Sequence, residues 1–297
     1  MKIVMNDEGL GNQMFYYAFM CELHERTGEP CFLMSNRNNS VHGGVKVYEV
    51  FPNVNVCKAN GMQRSMFFLL EKLFSSGAFP TIKFLRLFMT EVFYKPFFIF
   101  NEQLAFGHGK KNIYFYGQFQ GEDYFSHVAE QIRIDFAFDV SRLNEFTRSM
   151  AEQIQSYGKK SAFIHVRRGD YMKPQFQMLA QTASTGYYMK ALSYIKNHEP
   201  DVHFFVFSDD IAFCREQFVG DNFTFVDGQN FGKDCWQDMY LMSLCHHAII
   251  PSSTFSWWGA WLGTGENRMI IAPKQWSTQI KDDDVIPNRW IRLRTVS

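Results

Sequence analysis

His165, Arg167, Arg168 and Asp170 fall within one short run, Ser161-Ala-Phe-Ile-His-Val-Arg-Arg-Gly-Asp-Tyr171. Two guanidinium groups on one loop suit a diphosphate, because each stays charged and its planar fork matches two phosphate oxygens at once. Asp170 adds a carboxylate able to take a proton from an attacking hydroxyl. A plain surface Arg-Asp ion pair is the alternative reading, and His165 inside the strand with Gly169 in the loop argues against it. A second group is Pro251-Ser252-Ser253-Thr254-Phe255, where small hydroxyl residues before a helix offer backbone N–H groups and the positive end of a helix dipole to an anion. Ser208-Asp209-Asp210 reads first as a helix cap, with Asp210 the member that could also touch a ligand. Asp238 is an isolated aspartate on an expected helix, and composition alone gives it no role. Near the start, Asp7, Glu8, Gly11, Asn12 and Gln13 lie in a glycine-containing loop.

These groups need elements to hold them. Ala162–Val166 reads as a buried strand that empties into the Arg167 loop, and ligands of open α/β sheets bind beyond the carboxyl ends of strands. Further strands are expected at His203–Phe207, Phe223–Val226, Ala248–Ile250 and Met269–Ala272. Helices near Tyr187–Asn197, Ile211–Phe218, Trp236–Cys245 and Phe255–Leu262 separate them, an alternation that implies a parallel sheet covered on both faces. The tryptophans of Phe255–Leu262 read as packing between helices. In the first half, Lys2–Met5 is a strand, Asn6–Gln13 a loop and Met14–Arg26 a helix. Gly9-Leu10-Gly11 lacks the third glycine of a dinucleotide fingerprint, so by itself this is only a strand-to-helix turn. Ile113–Phe119 is an expected strand, and Glu122–Asp135 and Val140–Tyr157 are expected helices. The polar turn Gly158-Lys159-Lys160 then suggests a division into residues 1–157 and 158–297.

Composition removes several classes of function. Thirty basic residues balance thirty acidic ones, so no nucleic-acid footprint is visible and local loops must hold any anionic ligand. Six scattered cysteines show neither Cys-x-x-Cys nor zinc spacing and read as reduced thiols of a cytoplasmic protein. The start turns polar too soon for a signal peptide, and no uncharged apolar run is long enough for a membrane span. Met66–Phe100 is dense in phenylalanine at helical spacing and reads as one or two amphipathic helices. Their apolar faces suit core packing, with a peripheral contact on the inner membrane as the alternative. Asp282-Asp283-Asp284 contains an Asp-x-Asp, but between Lys281 and Val285 it reads as an exposed acidic turn, and no metal is expected.

Taken together, Gly9-Leu10-Gly11-Asn12-Gln13-Met14-Phe15, Gly117-Gln118-Phe119-Gln120 with Tyr124-Phe125, and His165-Val166-Arg167-Arg168-Gly169-Asp170 resemble the bacterial α-1,2-fucosyltransferases of glycosyltransferase family 11. Phe207-Ser208-Asp209-Asp210, Asp238-Met239 and Ser253-Thr254-Phe255-Ser256-Trp257-Trp258-Gly259 complete the pattern along nearly the whole chain. The chain departs from it at Asp7-Glu8, where a glycine is frequent, at Tyr16, and at Pro251-Ser252. The resemblance implies a GT-B architecture of two Rossmann-like domains facing across a cleft. It implies metal-independent, inverting transfer of L-fucose from GDP-β-L-fucose to the 2-hydroxyl of a terminal β-galactose, with no cofactor. It also implies that His165 and Asp238 meet the guanine and ribose end, that Arg167 holds the β-phosphate, and that Ser253 and Thr254 contact the diphosphate, with Arg168, Asp210, Ser252 and Phe255 around them. Asn12 and Gln13, with Gly11, Asp7 and Glu8, would serve the acceptor side, and Asp7, Glu8 and Asp170 are the candidates for a general base. Three rivals stay open: a fucosyltransferase of another linkage, a silent GDP-sugar-binding or glycan-binding module, and a membrane-surface scaffold built on Met66–Phe100.

Overall fold

The computed structural model describes residues 2–5, 8–34, 45–56, 61–62, 65, 90–93, 98–108, 113–174, 178–182, 185–227, 230, 232–280 and 283–295. The chain forms two compact units, Met1–Ala137 and Phe138–Ser297. Each is an α/β unit on its own parallel sheet, in agreement with the expected class.

In the first unit the strands are β1 (Lys2–Met5), β2 (Cys31–Met34), β3 (Thr90–Phe93) and β4 (Ile113–Tyr116), in the order β2-β1-β4-β3. All neighbours run parallel, with Ile3 paired to Phe32 on one side and to Tyr114 on the other. The chain leaves β1 for one neighbour and returns to the other, so the crevice of this sheet opens at the carboxyl end of β1. The helix Leu10–Thr27 follows at once and starts earlier than its apolar spacing suggests, because Gly9 O already accepts from Asn12 N at 3.0 Å and Gln13 N at 3.1 Å. It ends at Gly28, whose φ of 63° lies in the left-handed region that glycine tolerates. Its buried Phe19 stacks on Phe119 at 4.0 Å and meets Phe115 and Tyr124 edge-on at 5.3 and 5.8 Å. Part of the aromatic surplus is therefore core.

Two expectations for this half are corrected. Glu122–Asp135 is not one helix: two short turns, Glu122–Tyr124 and Ser126–Val128, precede the helix Ala129–Asp135. Phe125 leaves helical geometry there (φ −148°, ψ 26°) and is fully buried, its ring 6.4 Å from that of Phe15. The helical stretch Met66–Phe100 lies mostly outside the described residues, and Thr90–Phe93 within it is strand β3. The short helix Glu102–Phe106, capped by the Asn101 side chain, was not anticipated.

The second unit contains β5 (Ser161–Val166), β6 (His203–Ser208), β7 (Phe223–Phe225), β8 (His247–Ile249), β9 (Ile270–Pro273) and β10 (Ile291–Leu293), all parallel, in the order β10-β9-β8-β5-β6-β7. Every residue of β5 is buried, the condition under which a strand reads as an unbroken apolar run. From β5 the chain goes first to β6 and later to β8 on the other side, so the switch point lies at the carboxyl ends of β5 and β8. The division into units falls ahead of the expected turn at Gly158. The helix Glu145–Tyr157 buries Thr147, Met150, Ala151 and Ile154, one stripe at helical spacing, and packs on the helix Trp236–Leu244 of the second unit. Asp283 is corrected too: it is buried, accepting from Trp276 N at 2.7 Å and lying 3.6 Å from Arg292 Nη1. Asp284 is exposed as expected, and Asp282 lies outside the described residues. Among the described residues, no helix is long and apolar enough to cross a membrane.

Candidate active site

Three loops of the second unit meet at its switch point. The first leaves β5. His165, its last residue but one, is 5% exposed, and its Nδ1 has no hydrogen-bond partner among the described residues. Burial, and then the neighbouring Arg167 charge, lower its pKa to about 3, so the ring is neutral at physiological pH. Arg167 emerges next, with Nε 3.3 Å from Asp209 Oδ2. Arg168 turns to the helix Ile211–Gln217, its Nε 3.2 Å from Asp210 Oδ2 and its guanidinium 3.6 Å above the Phe213 ring. Asp170 opens a short helical turn, Asp170–Met172, and its side chain lies outside the described set.

The second loop, Ser208-Asp209-Asp210, divides its labour. Asp210 caps the helix Ile211–Gln217 by accepting from Phe213 N at 3.1 Å, as the sequence suggests. Asp209 does something the sequence did not assign. Its two oxygens accept Arg168 N at 2.9 Å and Gly169 N at 3.1 Å, and the same carboxylate pairs with Arg167. A Cβ on Gly169 would stand 2.9 Å from Asp209 Oδ2, so any larger residue here would push against the carboxylate that pairs with Arg167.

The third loop leaves β8. Ser252 and Ser253 are buried, and Ser253 occupies the N-cap of the helix Thr254–Leu262 without a side-chain capping bond. The first turn therefore keeps its N–H groups directed at the switch point. Phe255 in that turn lies 6.1 Å, ring to ring, from His165. Tyr171, also unassigned from sequence, joins the first loop to the third by donating to Ser252 O at 2.5 Å. Beneath them, Tyr188 donates to His165 O at 3.0 Å and Tyr187 to Ile250 O at 2.7 Å, fixing the strand ends from which both loops start. The tryptophans are packing residues: Trp257 and Trp258 are fully buried, and Trp257 Nε1 donates to Val285 O at 2.8 Å.

Asp238 sits in the first turn of the helix Trp236–Leu244. Burial raises its carboxyl to about 6, opposed by a hydrogen bond from Asn230 Nδ2 at 2.7 Å. The Cys235 thiol, one residue before this helix, is pushed up to about 12 by burial first, with Asp238 raising it and Arg167 lowering it. The start of the helix thus lies within electrostatic reach of Arg167.

The first unit has its own polar group at the carboxyl end of β1. Glu8 carries φ 81°, the left-handed region, at the position where the motif often has glycine. Its carboxylate accepts from Asn12 Nδ2 and, at 3.3 Å, from Tyr16 OH, while Asn12 Oδ1 accepts from Gln120 Nε2 at 3.1 Å. Gln120 is buried, and its Oε1 has no partner among the described residues. Gln13 is turned inward: its amide donates to Val45 O at 2.7 Å and accepts from Val47 N at 3.2 Å. Gly11 is buried in the helix, and Asp7 lies outside the described residues.

The model of the family described as Glycosyl transferase family 11 matches residues 80–294, most of the chain and all three loops. The chain belongs to glycosyl transferase family 11. It is 29% identical over 299 residues to the Alpha-1,2-colitosyltransferase of Escherichia coli, covering 96% of each chain. It is 30% identical over 166 residues to the O-antigen biosynthesis glycosyltransferase WbnK of Escherichia coli, covering 54% of this chain and 55% of that one. To the Galactoside alpha-(1,2)-fucosyltransferase 1 of Saimiri boliviensis boliviensis it is 32% identical over 154 residues, which span 48% of this chain and 41% of that protein. As a family 11 glycosyltransferase, the chain has its phosphate-suited groups on the second unit.

Proposed function

We propose that the protein transfers L-fucose from GDP-β-L-fucose to the 2-hydroxyl of a terminal β-galactose, with inversion and without a metal. The observation that carries the reading is the convergence of Arg167, the open first turn at Thr254 and the neutral His165 at one switch point. An arginine and a helix N-terminus are matched to a diphosphate, and a half-buried carboxylate such as Asp238 is matched to nucleoside N–H and O–H groups. As the glycosyl–phosphate bond breaks, negative charge grows on the departing phosphate and positive charge on the sugar ring. An Arg167 already oriented by Asp209 gains interaction energy in that step, which is what lowers the barrier. Attack from the opposite face inverts the anomeric centre, and a carboxylate that takes the hydroxyl proton would assist it. The 2-linkage and the galactoside acceptor are supported by relatives whose names carry them, and a surface-glycan acceptor by the O-antigen relative.

A colitosyl donor is the second reading, favoured by the relative matched over nearly the full length. The deciding experiment incubates the purified protein with GDP-fucose, lactose and EDTA, follows GDP release and determines the product linkage. Formation of 2-linked fucosyl galactose in EDTA is the expected outcome. Loss of all turnover in EDTA would remove the metal-free mechanism, and transfer only from a colitosyl donor would replace fucose by colitose.

A further inference from the structure

Asp238 is held by a ring of side chains that the folding of its helix does not require. Asn230 is 4% exposed and fully engaged. Its Oδ1 accepts from Asn144 Nδ2 at 2.8 Å, while its Nδ2 donates to Asp238 Oδ1 at 2.7 Å and to Thr147 Oγ1 at 3.3 Å. Asn144 caps the helix Glu145–Tyr157 through Thr147 N at 2.8 Å, and its own backbone N–H donates to Gln237 Oε1 at 2.9 Å. Both ends of the Asn144 amide are thereby committed, which in turn fixes the Asn230 amide: its oxygen must face Asn144 and its nitrogen must face Asp238. Only Oδ1 of Asp238 is bound in this way, and Oδ2 has no hydrogen-bond partner among the described residues.

We infer that Asn230 is a positioning residue for the nucleotide donor: its amide keeps the Asp238 carboxylate ionised and turned so that Oδ2 accepts nucleoside N–H or O–H groups. This rests on the reading of Asp238 as part of the donor site. A buried carboxyl without a donor shifts toward its neutral form, which cannot offer the same acceptor, and a hydrogen bond to the charged form opposes that shift. The groups around this turn do not supply the effect otherwise. Cys235 and Asp234 stand at the start of the same helix, and Arg142 lies 5.3 Å above the Trp236 ring. Arg167, in the loop after β5, acts on the Cys235 thiol, the helix Thr254–Leu262 carries no titratable side chain, and Glu145, Arg148 and Glu152 of the helix Glu145–Tyr157 are exposed.

The test is GDP affinity by calorimetry between pH 5 and 8 for the wild type, Asn230→Ala, Asn230→Ser and Thr147→Val, each with a thermal melt. In the wild type, binding weakens as pH falls through about 6, where Asp238 gains its proton. Asn230→Ala moves that midpoint upward by roughly one pH unit, so affinity drops nearly tenfold at pH 5, about twofold near pH 7 and hardly at all at pH 8. Asn230→Ser, which keeps a hydroxyl donor, lies between, and it serves as the readout if the alanine variant does not fold. Thr147→Val loosens the same network without touching Asp238, so it lowers the melting temperature and leaves the midpoint in place. An unshifted midpoint in both Asn230 variants, or an equal shift in Thr147→Val, overturns the inference while leaving the donor site standing. Absence of GDP binding by the wild type removes the donor-site reading itself, and the inference with it.

Discussion

On the proposed reading Arg167 stabilises a leaving phosphate only if its guanidinium is already aimed, and Asp209 pairs with it. One carboxylate holds Arg167 Nε at 3.3 Å and gathers the N–H groups of Arg168 and Gly169, so the loop and the side chain are fixed together. Asp209→Asn keeps one acceptor oxygen but sets an NH2 group against groups that are themselves donors. The pair is partly exposed, so the cost to stability is small. Catalysis loses charge-assisted contacts of about 1.5 to 3 kcal/mol, which lowers kcat/KM roughly ten- to a hundredfold. Steady-state kinetics with a thermal melt checks this; wild-type kcat/KM in Asp209→Asn would show that Arg167 is oriented without it. Asp209 was not legible in the sequence for a specific reason. Ser-Asp-Asp ahead of a helix reads as a cap, and the cap is real, but it belongs to Asp210 alone. Asn230 was hidden more deeply, since an asparagine between helices carries no signal until its partners from distant segments are known.

At the scale of elements, legibility followed burial. Strands β5, β6 and β8 are buried on both faces and read as unbroken apolar runs, so their positions were legible to within a residue or two. Strand β3 sits in a stretch so rich in aromatic residues that helical and extended periodicity both fit, and β10 is a short, half-buried strand with a central arginine. What spacing could not convey is how closely the helices Trp236–Leu244 and Thr254–Leu262 approach. A Cβ on Gly259 would lie 2.8 Å from Met242 Cβ and 3.2 Å from its Sδ. Gly259→Ala gains about 1 kcal/mol of helix propensity but overpacks this contact by about 1 to 3 kcal/mol, so the net change is destabilising. Calorimetry should record a lower melting temperature. On the proposed reading GDP should also bind more weakly, because Asp238 sits in the first turn of one helix and Ser253 occupies the N-cap of the other, and a shift between them would separate two groups proposed to hold the donor. A higher melting temperature would mean that the interface absorbs the methyl group.

For the whole molecule, zero net charge means that the nucleotide recognition proposed above has to be local, and the groups matched to it stand on Phe138–Ser297. A ligand stabilises only what it binds, by RT ln(1 + [L]/Kd), so GDP at a hundred times its Kd adds about 2.7 kcal/mol to the unit that holds it. A protein of two compact units need not unfold in one step, which makes the melting temperature alone an ambiguous readout. Hydrogen exchange resolves the ambiguity, because amides that meet the diphosphate, or whose loops are fixed by it, open less often. The expected outcome with saturating GDP is slowed exchange at Arg167–Gly169, Asp209–Asp210 and Ser253–Ser256, the segments that Asp209, Tyr171 and the first turn of the helix Thr254–Leu262 tie together. Slowing should extend to the turn at Asp238 at pH 7.5, and fade there at pH 5.5 as the carboxyl, raised to about 6, takes up its proton. Protection that ignored these loops would put the nucleotide elsewhere in the chain. Protection at Asp238 that was equal at both pH values would mean that the nucleoside does not depend on its charge.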